Sequence, residues 1–373
     1  MGAKQPISDL SGGGSQLPSL SADVRSSDDV IAFAKGSYHV FATEMTKGCQ
    51  IGDFLTNSQV VHATSATPLG PYSVNSTWLE PFAHTPRAWP GPNNSLLLAY
   101  VGRQFVPPAG QRDCAAEAAA GVKPTPTPKP ATAPATATAW ATVGASGGAG
   151  APFQQRNAQC LGLMVAQSSS GNVSGPWSHR FVYDPSYGEW YGRLDESAPN
   201  VDSNGGGSNY MQGGINNPSI FLFANGTSLV AARTCTWPEQ VVVASAPHWR
   251  GPYKSVVDGP AMPNPNPSDE DPFLWMDIRG HMHMLLHHQD GDANQLRNGA
   301  HAYSRDGVSW TWSPSVAYTT EVAWEGGGST HFARRERPAL LLDPTWRVPL
   351  ALFTAVANGT RQWLHAQPIG QAT

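Results

Sequence analysis

Apolar and polar residues alternate in short runs along most of this chain, and the runs end at glycine, asparagine-glycine or proline. No long stretch carries the 3.6-residue apolar repeat of an amphipathic helix, so the pattern predicts many short strands joined by tight turns. Five stretches share one layout: a polar pair, a proline, an apolar strand, a turn and a second apolar strand. They are 28-DDVIAFAKGSYHVFATE-44, 84-HTPRAWPGPNNSLLLAYVG-102, 216-NNPSIFLFANGTSLVAAR-233, 270-EDPFLWMDIRGHMHMLLHH-288 and 336-ERPALLLDPTWRVPLALFT-354, with Val30 in place of the proline in the first. Three copies then close on Gly-Pro-aromatic, in 63-ATSATPLGPY-72, 166-AQSSSGNVSGPW-177 and 244-ASAPHWRGPY-253, while the fourth has 302-AYSRDGVSW-310.

Val30 and the prolines at 86, 218, 272 and 338 are separated by 56, 132, 54 and 66 residues. The long gap holds two stretches of different composition, so it marks one enlarged unit rather than two. The first, within 104–159, contains 121-GVKPTPTPKPATAPATATAWATVGASGGAGAP-152 and is expected to be a disordered low-complexity insertion. The second, 184–214, is a Gly/Asn/Ser-rich long loop with aromatics and acids. Each unit makes three or four antiparallel strands and needs neighbours to cover its faces. The reading is therefore an all-β, single-domain five-bladed β-propeller over 26–373, with a 1–25 N-terminal extension and the insertion in blade two. A β-sandwich is the competing fold, but it gives no reason for five matching copies.

Composition agrees: Gly (38), Pro (33) and Trp (13) are abundant and charged residues make up only 13%. The net charge of −4 without a basic stripe argues against a nucleic-acid partner. No apolar run reaches the roughly 18 residues of a membrane span. The first residues lack a signal-peptide core, yet five sequons, at Asn75, Asn93, Asn172, Asn225 and Asn358, point outside the cytosol. Four cysteines, Cys49, Cys114, Cys160 and Cys235, form no CxxC motif and allow three pairings. Cys114 and Cys160 flank the insertion, and a bridge between them would close its base. The expectation is a secreted glycoprotein, extracellular or in a cell wall, whose leader was removed or lies outside this sequence.

In a propeller the first strand of each blade lines the central channel, so the polar pairs should converge at one mouth. They are Asp28/Asp29, His84/Thr85, Asn216/Asn217, Glu270/Asp271 and Glu336/Arg337. Opposed carboxylates with histidine, amide and arginine neighbours suit glycoside cleavage, in which one acid protonates the leaving oxygen and another activates water or attacks the sugar.

The repeats and these residues resemble the five-bladed propeller glycoside hydrolases, the family 43 arabinanases, arabinofuranosidases and β-xylosidases and the related family 32 invertases. The resemblance spans nearly the whole chain outside the first 25 residues and the two insertions. It implies a catalytic base at Asp29 or Asp28 and a general acid at Glu270. Family 43 implies inversion, with carboxyls roughly 6.5–9.5 Å apart, and family 32 implies retention, at about 5 Å. Asn217 stands where family 43 places an aspartate that tunes the acid. An amide cannot supply like-charge repulsion, a role Asp271 could share. That departure supports a second reading, a non-catalytic glycan-binding or extracellular-matrix propeller.

Further candidates are His84 as an orienting group, and Arg335, Arg337, Glu336 and Asn216 for sugar hydroxyls. Trp89, Trp190, Tyr191, Trp237 and Trp275 offer stacking faces, with Trp190 and Tyr191 favoured as a substrate wall. Tyr72, Trp177 and Tyr253 recur by blade and read as structural. His283, His287 and His288 suggest a metal, but strand alternation puts His287 and His288 on opposite faces and argues against zinc. His331 resembles by location a histidine near a channel calcium or sodium ion in family 43. No cofactor is otherwise required, the partner is a carbohydrate built of units such as arabinose, xylose, galactose or fructose, and the chain is expected to be a monomer.

Overall fold

The strand-forming runs become five antiparallel sheets in the computed structural model, which describes residues 31–34, 36–79, 83–102, 111–122, 162–168, 177–184, 189–190, 215–234, 240–251, 253–257, 261–262, 268–289, 297–324, 327–343, 347–358 and 361–369. Blade one is β1 (Ile31–Ala34), β2 (Ser37–Met45), β3 (Ser58–Ser65) and β4 (Ser73–Leu79). Blade two is β5 (Ala83–Pro90), β6 (Leu96–Gly102), β7 (Gly162–Ser168), β8 (Trp177–Asp184) and the short β9 (Glu189–Trp190). Blade three is β10 (Ile215–Leu222), β11 (Ser228–Thr234), β12 (Val241–Ala246) and β13 (Lys254–Ser255). Blade four is β14 (Ser268–Met276), β15 (Met282–Gln289), β16 (Arg297–Ser304) and β17 (Trp310–Trp312). A hairpin of β18 (Glu321–Ala323) and β19 (Ser329–His331) precedes blade five, made of β20 (Arg334–Leu342), β21 (Pro349–Asn358) and β22 (Arg361–Pro368). The innermost strands β5, β10, β14 and β20 pack in that order, and β1 touches both β20 and β5 to close the ring.

The unbroken apolar runs follow from this stacking, because each blade is covered on both faces. Along β6, Leu96, Leu98 and Tyr100 enter a core shared with blades one, four and five, while Leu97 and Ala99 enter the core shared with blade three. Along β11, Val230 and Ala232 face that same core, and Leu229 and Ala231 face the one shared with blade four. The Gly-Pro-aromatic signature is structural: Tyr72 donates its hydroxyl to the carbonyl of Pro68 and Tyr253 to that of Trp249, both at 2.8 Å. The third aromatic, Trp177, packs edge-on against Trp78.

Each repeat proline sits in a β-bulge. Thr85–Pro86, Asn217–Pro218, Asp271–Pro272 and Arg337–Pro338 each place two residues opposite one on the second strand. Proline has no N–H for the ladder, and the bulge removes the need for one. The residue before it takes a positive φ in all four blades, 52° at Thr85, 49° at Asn217, 57° at Asp271 and 58° at Arg337. Left-handed backbone at a non-glycine residue costs on the order of 1–2 kcal/mol, most at β-branched Thr85. Four such costs, spent at one level of the channel, mark it as the functional level.

The cysteine expectation needs correcting. Cys114 is bonded to Cys49, across 65 residues of sequence, and not to Cys160. The physical reason is a short helix inside the predicted insertion, α1 (Cys114–Ala119), that docks on the β2–β3 connection of blade one. Ala115 N–H donates to the Lys47 carbonyl at 3.0 Å, and the Arg112 guanidinium bridges Asp53 and Glu117. Cys160 and Cys235 lie outside the described residues, as do the rest of the 104–159 span and most of 184–214.

Several histidines are buried as neutral rings. His365 is packed against Trp324 and Phe332 with neither ring nitrogen hydrogen-bonded, and burial, helped by the Arg335 charge, pushes its pKa down to about 3. Burial likewise lowers His62 and His301 to about 4, each with a neighbouring histidine as the second cause. A depressed histidine leaves the folded state binding fewer protons than the unfolded chain, so stability falls as pH drops from about 6.5 toward 4. The thermal midpoint is expected to decline through that window, and His365→Leu to flatten part of the decline in a pH series of melting curves. A non-reducing peptide map is expected to recover Cys49 and Cys114 in one linked pair, and Cys114→Ala to lose about 2–4 kcal/mol in denaturant unfolding.

Candidate active site

The bulges carry the predicted polar pairs to the channel, where four of the five pairs are described. Asp28 and Asp29 lie outside the described residues, immediately ahead of β1 in sequence. In the other four blades the second member of the pair, with its positive φ, forms the tie between blades. Asp271 accepts from the Asn217 amide in blade three through Oδ1 and from the Arg337 backbone N–H in blade five, at 3.2 Å, through Oδ2. The Arg337 guanidinium then approaches His84 Nε2 of blade two at 3.4 Å. Thr85 N–H donates to Thr43 Oγ1 of blade one at 3.0 Å. One hydrogen-bonded chain thus crosses from blade three to blade two, and Thr85 links it to blade one.

His84 is neutral: burial first, and then the Arg337 and Arg233 charges, keep its pKa well below the ordinary histidine value. A neutral ring that accepts from Arg337 at Nε2 carries its proton on Nδ1, which is buried without a partner. Its face stacks on Phe54 at 4.8 Å. Asn216 does not reach out to solvent; its Oδ1 accepts from the Asn217 N–H at 3.0 Å and fixes the bulge.

Glu270 stands between two basic side chains. It is 9% exposed, and each carboxylate oxygen has a partner. Arg233 Nη1 donates to Oε2 at 2.8 Å, and His287 Nδ1 lies 3.0 Å from Oε1. Burial is the largest single influence and would raise the carboxyl's pKa. The Arg233 charge, the His287 hydrogen bond and charge, and Arg337 together outweigh it and hold Glu270 below the ordinary glutamate range. Its neighbour Asp269 points to the opposite face and meets His288 Nδ1 at 2.7 Å, as strand alternation requires.

On the blade-five side, Arg334 holds Glu336 in a bidentate pair at 2.6 and 2.9 Å. Arg334, Glu336, Arg337 and Gln362 line a small open groove together with Ile51, Ala355, Val356 and Ala357. Charged and apolar groups there stand side by side, a mixture that suits a polar ligand with an apolar ring face.

Two sequence candidates are placed elsewhere by the structure. Arg335 is 2% exposed and spends its donors on Thr354 Oγ1, the Thr319 carbonyl and Gln367 Oε1, so it props blade five and does not contact a substrate. Trp275 lies in the blade core, stacked on His283 at 4.9 Å, and offers no open face. Trp190 keeps backbone pairing with Tyr183, and Tyr191 and Trp237 lie outside the described residues.

His331 is exposed on β19. A calcium ion takes six to eight oxygen ligands. Here the acidic group near the axis is Glu270, Asp271 and His287, whose oxygens already accept from Arg233, Asn217 and the Arg337 amide. The described residues therefore do not fit a channel calcium or sodium ion.

The site residues that sequence reasoning missed are Arg233, never considered, and His287, weighed only as a metal ligand. Both were findable. They are the cross-strand partners of Asn216 and Glu270, at the end of the second strand of their repeats.

No protein-family model and no curated protein matches the sequence. Solved structures do. An endo-arabinase from Bacteroides thetaiotaomicron aligns at 11% identity over 95% of this chain and 98% of its own, with a TM-score of 0.51. The catalytic domain of a family 62 α-L-arabinofuranosidase from Coprinopsis cinerea aligns at 11% identity over 99% and 95%, with a TM-score of 0.54. A family 117 glycoside hydrolase from Zobellia galactanivorans aligns at 10% identity over 98% and 87%, with a TM-score of 0.51. The fold is that of the five-bladed propeller glycoside hydrolases. At these identities the likeness is one of architecture, and the chemistry has to be argued from the site.

Asn217→Asp tests the tie between blades three and four. It sets a second carboxylate against Asp271, so one of the two must hold a proton for the contact to survive. Near pH 7 the variant is expected to lose about 1–3 kcal/mol in urea unfolding. The dyad's raised pKa then restores stability as pH falls toward about 5, where the shared proton is present.

Proposed function

We propose that this propeller is a glycoside hydrolase whose general acid is Glu270. The observation that carries the reading is the placement of Glu270: a buried carboxylate of blade four, bracketed by Arg233 and His287 and near a small groove of blade five lined by Glu336 and Arg337. Glu270 protonates the leaving glycosidic oxygen, and Asp29 or Asp28 deprotonates the attacking water in an inverting displacement. Arg337, Glu336 and Arg334 hold sugar hydroxyls at the groove, and His84, neutral and stacked on Phe54, orients that end of the site. The substrate class is a polysaccharide or glycoprotein glycan of arabinose, xylose or galactose type.

The Cys49–Cys114 disulfide supports work in an oxidising, extracellular setting. The exposed positions of Asn75, Asn93, Asn225 and Asn358 supply the access that glycosylation requires; Asn172 lies outside the described residues. The chain acts as a monomer in this reading.

One observation favours the glycan-binding alternative. Both oxygens of Glu270, Asp271 and Glu336 accept hydrogen bonds, and Asn217 adds no acidic charge. A panel of aryl α- and β-glycosides separates the two. Wild type is expected to turn over at least one pentoside or galactoside, and Glu270→Gln to cut kcat by ~10²-fold or more at unchanged fold. Absence of turnover across the panel, with glycan-array binding retained by Glu270→Gln, would overturn the enzyme reading.

A further inference from the structure

An acid catalyst must present a proton to the leaving oxygen, yet both oxygens of Glu270 are occupied as acceptors, one by Arg233 and one by His287. Glu270 alone therefore has no proton to give in this geometry. Of its two donors, Arg233 cannot release a proton, and the transferable one is on His287 Nδ1, 3.0 Å from Oε1. Given the glycosidase reading, on which this inference rests, we propose that His287 is a positioning residue that stores on Nδ1 the proton which Glu270 delivers to the leaving group.

The surroundings of His287 suit that task. It is fully buried on β15, directly opposite Glu270 in the ladder. From β14 it faces Glu270 and also Asp271, whose Oδ2 is 3.8 Å from Nδ1, and from β20 it feels Glu336. On the β16 side its ladder partner is Gly299, against which the Tyr318 ring lies so closely that a Cβ there would sit 2.1 Å from the ring. The positive groups Arg233 and Arg337 act on Glu270, and Arg334 acts on Glu336. Burial, the largest influence, would lower the pKa of His287. The hydrogen bond to Glu270 and the charges of Glu336, Glu270 and Asp271 outweigh it and raise the pKa above the ordinary histidine value. Nε2 is buried with no partner, so the imidazolium keeps one N–H unsatisfied. An unsatisfied donor makes the charged ring costly and its proton transferable.

The step balances without another reagent. The pair enters as a carboxylate and an imidazolium, or equally as a carboxylic acid and a neutral ring. As the glycosidic C–O bond breaks, its electron pair goes to the leaving oxygen, which takes the pair's one shared proton, passed from His287 Nδ1 through Glu270. The pair ends as carboxylate plus neutral imidazole, while the base carboxylate takes a proton from the attacking water. Solvent exchange then returns that proton to the pair.

Loss of His287 forces the proton onto Glu270, which Arg233 holds as a carboxylate. Activity in His287→Asn is therefore expected only at acid pH. For an aryl glycoside with a poor leaving group, kcat/KM near pH 7 should fall ~10²-fold and recover toward about pH 5; for a dinitrophenyl glycoside, which needs no acid, it should fall less than about 3-fold. A loss equal at every pH and for both leaving groups, or no loss, overturns the proposal.

NMR titration of isotope-labelled histidines reads the pair without turnover. The His287 signal, assigned by its disappearance in His287→Asn, should titrate above the ordinary histidine value in wild type and move down in Glu270→Gln. An unmoved titration overturns the pair whether or not glycosides are cleaved. A moved titration in a protein that cleaves no glycoside upholds the pair and removes the glycosidase reading instead.

Discussion

The rest of this structure depends on a repeated backbone constraint, the proline bulge that opens the innermost strand of blades two to five. Proline cannot join the ladder, so the strand inserts an extra residue there, and the residue before the proline is forced into left-handed backbone. That turn lets the same residue serve the neighbouring blades: Asn217 binds Asp271, Asp271 binds the Arg337 amide, and the Thr85 amide binds Thr43. Strain held at four places is offset by hydrogen bonds that join separate sheets. Such bonds could not form from regular strands, whose side chains alternate strictly between the two blade faces.

The same device divides labour within each polar pair. The second residue ties blades together, while among the first members Glu270 and Glu336 pair with arginines, His84 stacks on Phe54 and Asn216 caps its own bulge. Asp271 and Glu270 are adjacent in sequence but differ in kind. Asp271, almost fully buried and bonded on both sides to other blades, is a keystone. Glu270 is balanced between a permanent cation, Arg233, and a titratable one, His287, so its protonation depends on how that balance is disturbed. With no carboxylate at position 217, that balance is set by partners on the second strands of blades three and four rather than by a second acid.

Much of this was legible in the chain. Five copies of strand, turn and strand, the spacing of the prolines, and the two stretches of odd composition were enough to predict the propeller and its enlarged blade, because local periodicity and turn chemistry are sequence properties. The alternation argument also placed His287 and His288 on opposite faces, as found. Arg335 and Trp275 were read as site residues because a polar or aromatic residue near a strand mouth looks alike from either face. Which face it takes depends on a bulge register that shifts the parity by one. The helix α1 and its disulfide to blade one were hidden inside a segment whose average composition is low-complexity.

By itself, then, the sequence determined the blades, their order, and the polar pairs that open the innermost strands of blades two to five. Those follow from hydrophobic period, turn residues and the missing N–H of proline, all of which act within a few residues. Only the tertiary structure decided which of those residues meet across blades and what partners each finds there. Arg233 reaches Glu270 from another blade, Arg337 approaches His84 across 253 positions of sequence, and Cys49 finds Cys114 across 65. These distances are set by ring closure of five sheets, and no local pattern encodes them.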